Sequence, residues 1–196
     1  MPETSPETSP ETAQRPPKDL PETSMIAVPR RHRPISFTLP LAIGCAAAVV
    51  LIDQVSKHWV IEGLNLRQAG EMDVAPFLKF RMAWNTGVNF GLLANNGELA
   101  RTVLITGQSI LALGLLIGAL WARRVIHIAG LGIAAGGAMG NILDRWTWGA
   151  VADFLNLSCC GIDNPWSFNI ADIAVFTGLA LLLWPARRVS DERPLD

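Results

Sequence analysis

Two aspartates, Asp153 and Asp172, carry the strongest chemical potential in this chain, because they lie at the ends of a short polar connection between two strongly apolar segments. A carboxylate at the centre of a membrane helix costs about 2.5 to 3.5 kcal/mol on insertion scales, so two at one membrane surface call for a chemical reason. Two carboxylates brought close cannot both ionise cheaply. They share a proton, and one can act as base while the other acts as acid on an attacking water. Nineteen residues separate the two positions, and continuous helix would hold them about 30 Å apart. The chain must therefore turn back between them. Cys159-Cys160-Gly161-Ile162-Asp163-Asn164-Pro165 is a loop by composition, with Gly161 and Pro165 as breakers. The plain alternatives are an N-terminal cap or surface carboxylate for Asp153, and a capped helix start or a partner of Lys57 or Arg145 for Asp172. Spacing alone leaves both readings standing.

Other polar residues recur near apolar segments. Asn141, Asp144 and Arg145 follow a glycine stripe, and their spacing of three and four predicts one shared helical face directed into a bundle. Asp144 and Arg145 are expected to neutralise each other, while the Arg145 guanidinium can also hold a carboxylate or a peptide carbonyl. Asp53 and Lys57 are four apart in another apolar segment, the spacing of an internal ion pair.

Those residues need a membrane scaffold. Of 196 residues half are hydrophobic and only 17% are charged, too apolar for an ordinary soluble domain. A span needs about 20 residues to cross ~30 Å of hydrocarbon, and four stretches qualify: 39–60, 102–122, 125–143 and 168–184. The expected fold is an all-α membrane protein of four transmembrane helices, with a small extracytoplasmic β element between the first and second. Arg30, Arg31 and Arg33, then Arg123 and Arg124, then Arg187 and Arg188 fall on one side of such a topology. By the positive-inside rule both termini are cytoplasmic and the two aspartates face outward.

Residues 1–38 begin with repeated Pro-Glu-Thr-Ser and read as a disordered cytoplasmic tail. Residues 39–188 form the four-span domain, and 189–196 a second cytoplasmic tail. In the first outer connection Phe80, Met82 and Trp84 alternate with Lys79, Arg81 and Ala83, the period of a strand with one greasy face. Asn85-Thr86-Gly87 supplies a turn after it. Gly132, Gly136 and Gly140 predict close helix packing. Trp59, Trp84, Trp146, Trp148 and Trp166 fit an aromatic belt at the outer boundary. Adjacent Cys159 and Cys160 cannot bridge without strain, and Cys45 reads as a small packing residue.

Five motifs in order resemble the signal peptidase II family of lipoprotein signal peptidases. They are Asp53-Gln54-Val55-Ser56-Lys57, Asn85-Thr86-Gly87-Val88-Asn89-Phe90-Gly91, Gly140-Asn141-Ile142-Leu143-Asp144-Arg145, Val151-Ala152-Asp153-Phe154 and Phe168-Asn169-Ile170-Ala171-Asp172. The resemblance covers roughly 53–184. It implies a membrane aspartic endopeptidase that removes the signal peptide of prolipoproteins carrying diacylglyceryl, cutting just before the lipidated cysteine. Asp153 and Asp172 match the catalytic pair. Asn85, Asn141, Arg145 and Asn169 match polar positions lining the site, and Asp53, Lys57 and Asp144 are read as structural. The implied setting is the bacterial inner membrane, with a lipidated prolipoprotein and membrane lipid as partners, no nucleic acid, no cofactor or metal, and a monomeric enzyme. Asn89 departs from the family pattern, which usually has a small residue there. Trp84 and Phe90 are expected to cover the substrate. The competing reading is a small proton-coupled transporter using Asp53, Lys57, Asp144, Arg145 and Asp172 as a relay.

Overall fold

The computed structural model describes residues 35–87, 97–158, 161 and 163–185. The tails, Asn89, Phe90, Cys159, Cys160 and the arginines at 30, 31, 33, 187 and 188 lie outside the described residues. Helix α1 spans Ile35–His58 and ends in a π-helical turn at Trp59–Gly63. A short helix α2, Leu66–Ala69, precedes strands β1, Glu71–Ala75, and β2, Leu78–Asn85. Helices α3, Gly97–Trp121, and α4, Val125–Trp148, are followed by strand β3, Val151–Asn156, and helix α5, Ile170–Leu182.

Three helical segments are long and apolar enough to cross a membrane: Phe37–Gly63, Gly97–Trp121 and Val125–Trp148. The first two turn most of their apolar side chains outward, with Leu51, Val55, Ile110 and Leu113 all exposed, the pattern of surfaces made for lipid, whereas Val125–Trp148 is more than half buried. The fourth apolar stretch is helical over only 13 residues. Its start is set back from Phe168 because Asn169 caps the helix, its side chain accepting from Asp172 N at 2.9 Å. At the other end Leu183 and Trp184 lie beyond the last helical residue. The first helix, in turn, begins at Ile35, four residues inside the stretch read as tail.

Helix α4 is the centre of the bundle because it has almost no side chains where its neighbours approach. A Cβ on Gly136 would stand 2.6 Å from the Ala46 carbonyl oxygen of α1, and Gly132 meets Ala42 in the same way. Gly140 completes the stripe, with the Asp53 carboxylate 2.6 Å from the place its Cβ would take. A second set was not legible as such: Gly137 abuts Ala171, and Gly130 faces Gly178, so that α5 approaches as closely from another side. Such contact lets backbones pack where lipid gives no hydrophobic drive.

The sheet differs from the expected β element. β1 and β2 come from the first connection, but β3 comes from the second and pairs antiparallel with β2, giving the order β1-β2-β3. Ala83 stands opposite Asp153, and Trp84 opposite Ala152. Phe168 then bridges to Leu155, with Phe168 N donating at 2.9 Å and Leu155 N returning a bond at 2.8 Å. A small core of Val60, Leu66, Phe80 and Phe154 binds the sheet to the end of α1. Phe80 sits edge-on between Trp59, at 6.4 Å, and Phe154, at 5.7 Å.

Filling the α1–α4 contact should loosen the bundle. Gly136→Val is expected to cost about 1 to 3 kcal/mol from overpacking, read as a lower unfolding temperature in detergent. A variant as stable as the parent protein would contradict this packing.

Candidate active site

Strand β3 and the first turn of α5 bring Asp153 and Asp172 to one place, and a single asparagine touches both. Asn169 Nδ2 donates to Asp153 Oδ1 at 2.6 Å, while Asn169 N donates to Asp172 Oδ2 at 3.3 Å. Asp172 is thus a capping residue as well as a member of the pair, and a capping box spends only one of its oxygens. The other, Oδ1, accepts from Asn141 Nδ2 at 3.0 Å. Asn141 Oδ1 accepts from Asn169 Nδ2 at 3.1 Å and from Lys57 Nζ at 3.5 Å. On the opposite side Asn85 Nδ2 donates to Asp153 Oδ2 at 3.1 Å. Asn85 can do so because its own Oδ1 takes the Gly87 N–H at 2.9 Å, which folds the turn after β2.

Among the described residues every direct donor to the two carboxylates is a neutral amide. The pair is therefore held without being neutralised. Asp153 is buried and Asp172 half-buried, so one carboxylate is withdrawn from water while the other stays within its reach. Burial first, and then the charge of Asp172, push the Asp153 carboxyl up to about 6 from 3.8, against the opposing bonds from Asn85 and Asn169. Desolvation and a like charge favour the same neutral form.

The polar residues assigned to structure form the floor of the site. Lys57 Nζ lies 2.7 Å from Asp53 Oδ2 and 2.6 Å from Asp144 Oδ2, with all three side chains fully buried. Asp144 and Arg145 do not pair with each other as expected. Adjacent helical residues point about 100° apart, so Asp144 faces α1 while Arg145 Nη1 reaches Gln108 Oε1 on α3 at 3.0 Å. Asn141, Asp144 and Arg145 thus serve three neighbours.

Trp84, expected to cover the substrate, packs within the protein. Asn85 points to Asp153, and side chains alternate along a strand, which puts Trp84 on the other face of the sheet. There it meets Trp148 edge-on at 5.8 Å with Arg67 above it at 5.6 Å. It covers that pair of residues and not the aspartates.

Two glutamines carry contacts that the sequence reading did not assign. Gln108 holds Arg145, and Gln54 Nε2 donates to Asp144 Oδ1 at 2.8 Å and to Gly140 O at 3.3 Å. The available signal was a polar side chain inside an apolar segment, where an unpaired amide is costly.

Comparison with known proteins bears on this geometry. The family described as Signal peptidase (SPase) II matches residues 45–187. The lipoprotein signal peptidase of Rhodopseudomonas palustris is 37% identical over 153 residues, covering 74% of this chain and 92% of that relative. The one from Methylorubrum extorquens is 35% identical over 153 residues, covering 75% and 85%. A solved structure described as a bacterial membrane enzyme, determined in meso at 1.9 Å resolution, matches with a TM-score of 0.62 at 27% identity, covering 74% of this chain and 90% of that one. The matched region takes in all five motifs and both aspartates with the strand and helix that carry them, and the chain belongs to the signal peptidase II family.

Proposed function

We propose that this chain is a membrane aspartic endopeptidase. It removes the signal peptide from diacylglyceryl-modified lipoprotein precursors, cleaving just before the lipidated cysteine. The observation that carries the reading is the joint hold of Asn169 on Asp153 and Asp172, which sets two carboxylates side by side with one more buried than the other. A shared proton rests on Asp153, whose carboxyl keeps it to about pH 6. Asp172, nearer to water, takes a proton from the attacking water as Asp153 protonates the scissile carbonyl oxygen. The half-reactions then reverse as the amine leaves. Carboxylates alone supply this chemistry, with no cofactor in any step.

The membrane setting follows from the same elements. Four spans place both termini in the cytoplasm and the sheet with its aspartates at the outer surface. Helix α5, at 13 residues, gives only about 20 Å of helix, but exposed Trp166 and Trp184 stand at its two ends as interfacial anchors. With the dyad at the outer edge, the acyl chains stay in lipid while the peptide enters between helices. The buried polar floor is complete within one copy, which favours a monomer.

A gel-shift cleavage assay with purified protein in detergent tests the reading. The diacylglyceryl-modified precursor should be cut and its unlipidated form should not. Asp153→Asn and Asp172→Asn should each abolish cleavage while leaving the protein folded. Retained cleavage in either variant would remove that residue from the mechanism. Loss of cleavage by well-folded unmodified protein would favour the transport reading.

The pH dependence has a definite sign. As pH rises through about 6, free enzyme loses the shared proton held by Asp153, so kcat/KM should fall there. A kcat/KM profile flat from pH 5 to 8 would contradict proton sharing.

A further inference from the structure

Between Asp153 and Asp172 the chain leaves β3, has neither helix nor strand at the described residues 157, 158, 161 and 163–167, and bridges back to the sheet at Phe168. One side chain closes that loop. Asn156 is the last residue of β3, three positions after Asp153, and is completely buried. Its Nδ2 donates to two backbone carbonyls on the far side of the loop, Asn164 O at 2.7 Å and Trp166 O at 2.9 Å. Its Oδ1 accepts from Ser158 Oγ. The same hydroxyl accepts from Asn164 N at 3.0 Å. Both amide protons and the carbonyl of Asn156 are therefore committed within the loop.

The positions are nearly symmetrical about the active site. Asn156 is three residues beyond Asp153, and Trp166 is three residues before Asn169. Between these ties the Leu155–Phe168 bridge locks the two chain segments together. Phe168 directly precedes Asn169, the residue that touches both aspartates. Arg81 adds an outer tie, with Nη1 donating to Asn164 O at 3.1 Å and Nη2 to Asp163 Oδ1 at 2.9 Å. Exposed pairs of that kind hold weakly. The fully buried Asn156 amide is the stronger constraint, because its removal takes from Trp166 O the donor described above and leaves Asn164 O with Arg81 alone.

We infer that Asn156 is a positioning residue for the carboxylate pair: by closing the 157–167 loop on its own side chain, it fixes where Asn169 and Asp172 stand relative to Asp153. The inference rests on the peptidase reading but goes beyond it. Asn156 touches neither aspartate, and it acts only through the loop closure.

The test uses full-length Asn156→Ala and Ser158→Ala beside unmodified protein, purified in detergent and assayed on the diacylglyceryl-modified precursor across pH. A displacement near 1 Å at a catalytic pair costs on the order of 100-fold in rate, so kcat should fall by about that factor in Asn156→Ala while KM stays within about twofold. The alkaline limb of kcat/KM should also move to lower pH as the Asp172 charge recedes from Asp153. Ser158→Ala should show smaller changes of the same sign. A variant with fewer folded molecules but unaltered kcat and limb per folded molecule would make Asn156 merely structural and overturn the inference. If Asn156→Ala does not fold, Ser158→Ala decides, and an unmoved limb there overturns it. Failure of the unmodified protein to cut would instead sink the peptidase reading, whereas normal cutting by all three proteins would sink the positioning role alone.

Discussion

One buried ammonium group organises the polar end of the bundle. Lys57 Nζ lies between Asp53 and Asp144, at 2.7 and 2.6 Å, with no exposure of any of the three side chains. Each carboxylate then uses another bond to reach a residue adjacent to Asp153 or Asp172. Asp53 Oδ1 accepts from Ala171 N at 2.9 Å, next to Asp172, and Asp144 Oδ2 accepts from Ala152 N at 3.2 Å, next to Asp153. Helix α1 thereby registers both aspartates through one cation. Gly140 makes the arrangement possible, because any side chain there would occupy the place of the Asp53 carboxylate. Buried ion pairs of this kind are poor sources of net stability, yet removing one partner strands uncompensated charge at a cost of about 3 to 5 kcal/mol. Their value is in specifying geometry.

The carboxylate pair itself is treated differently. Its direct donors are amides from Asn85, Asn141 and Asn169, while the cation stays one residue further away. A lysine in direct contact would hold both carboxylates ionised and remove the shared proton that acid and base chemistry requires. Amides orient the oxygens and leave the proton affinity to burial and to the neighbouring charge. The division between a charged floor and a neutral collar is what the proposed dyad, gaining and losing one proton in each cycle, would require.

Much of this was legible in the sequence because the signals were local. Apolar runs gave the three long spans, the glycine spacing gave the face of α4 that meets α1, and the i, i+4 spacing of Asp53 and Lys57 gave their contact. The misses share a physical origin in non-local pairing. Nothing in Val151-Ala152-Asp153-Phe154 indicates that its partner strand is β2, some 70 residues earlier. The expected Asp144–Arg145 pair failed because neighbours on a helix diverge, and their true partners, Lys57 and Gln108, are on other helices. The strand's alternation, once Asn85 is fixed toward Asp153, puts Trp84 on the other face of the sheet, against Trp148 and Arg67. Asn156 carries no assignment from the sequence, since its partners are two carbonyls eight and ten residues later.

The most direct test of the organising role of Lys57 is the stability and cleavage rate of Lys57→Met, a change that keeps the unbranched chain, one atom shorter, and deletes its charge. Two buried carboxylates would then face each other unpaired. Destabilisation of about 3 to 5 kcal/mol, with cleavage of lipidated precursor lost in whatever fraction remains folded, is the predicted result. A Lys57→Met protein that unfolds at the parent temperature and cleaves at the parent rate would show that the aspartates are positioned without it.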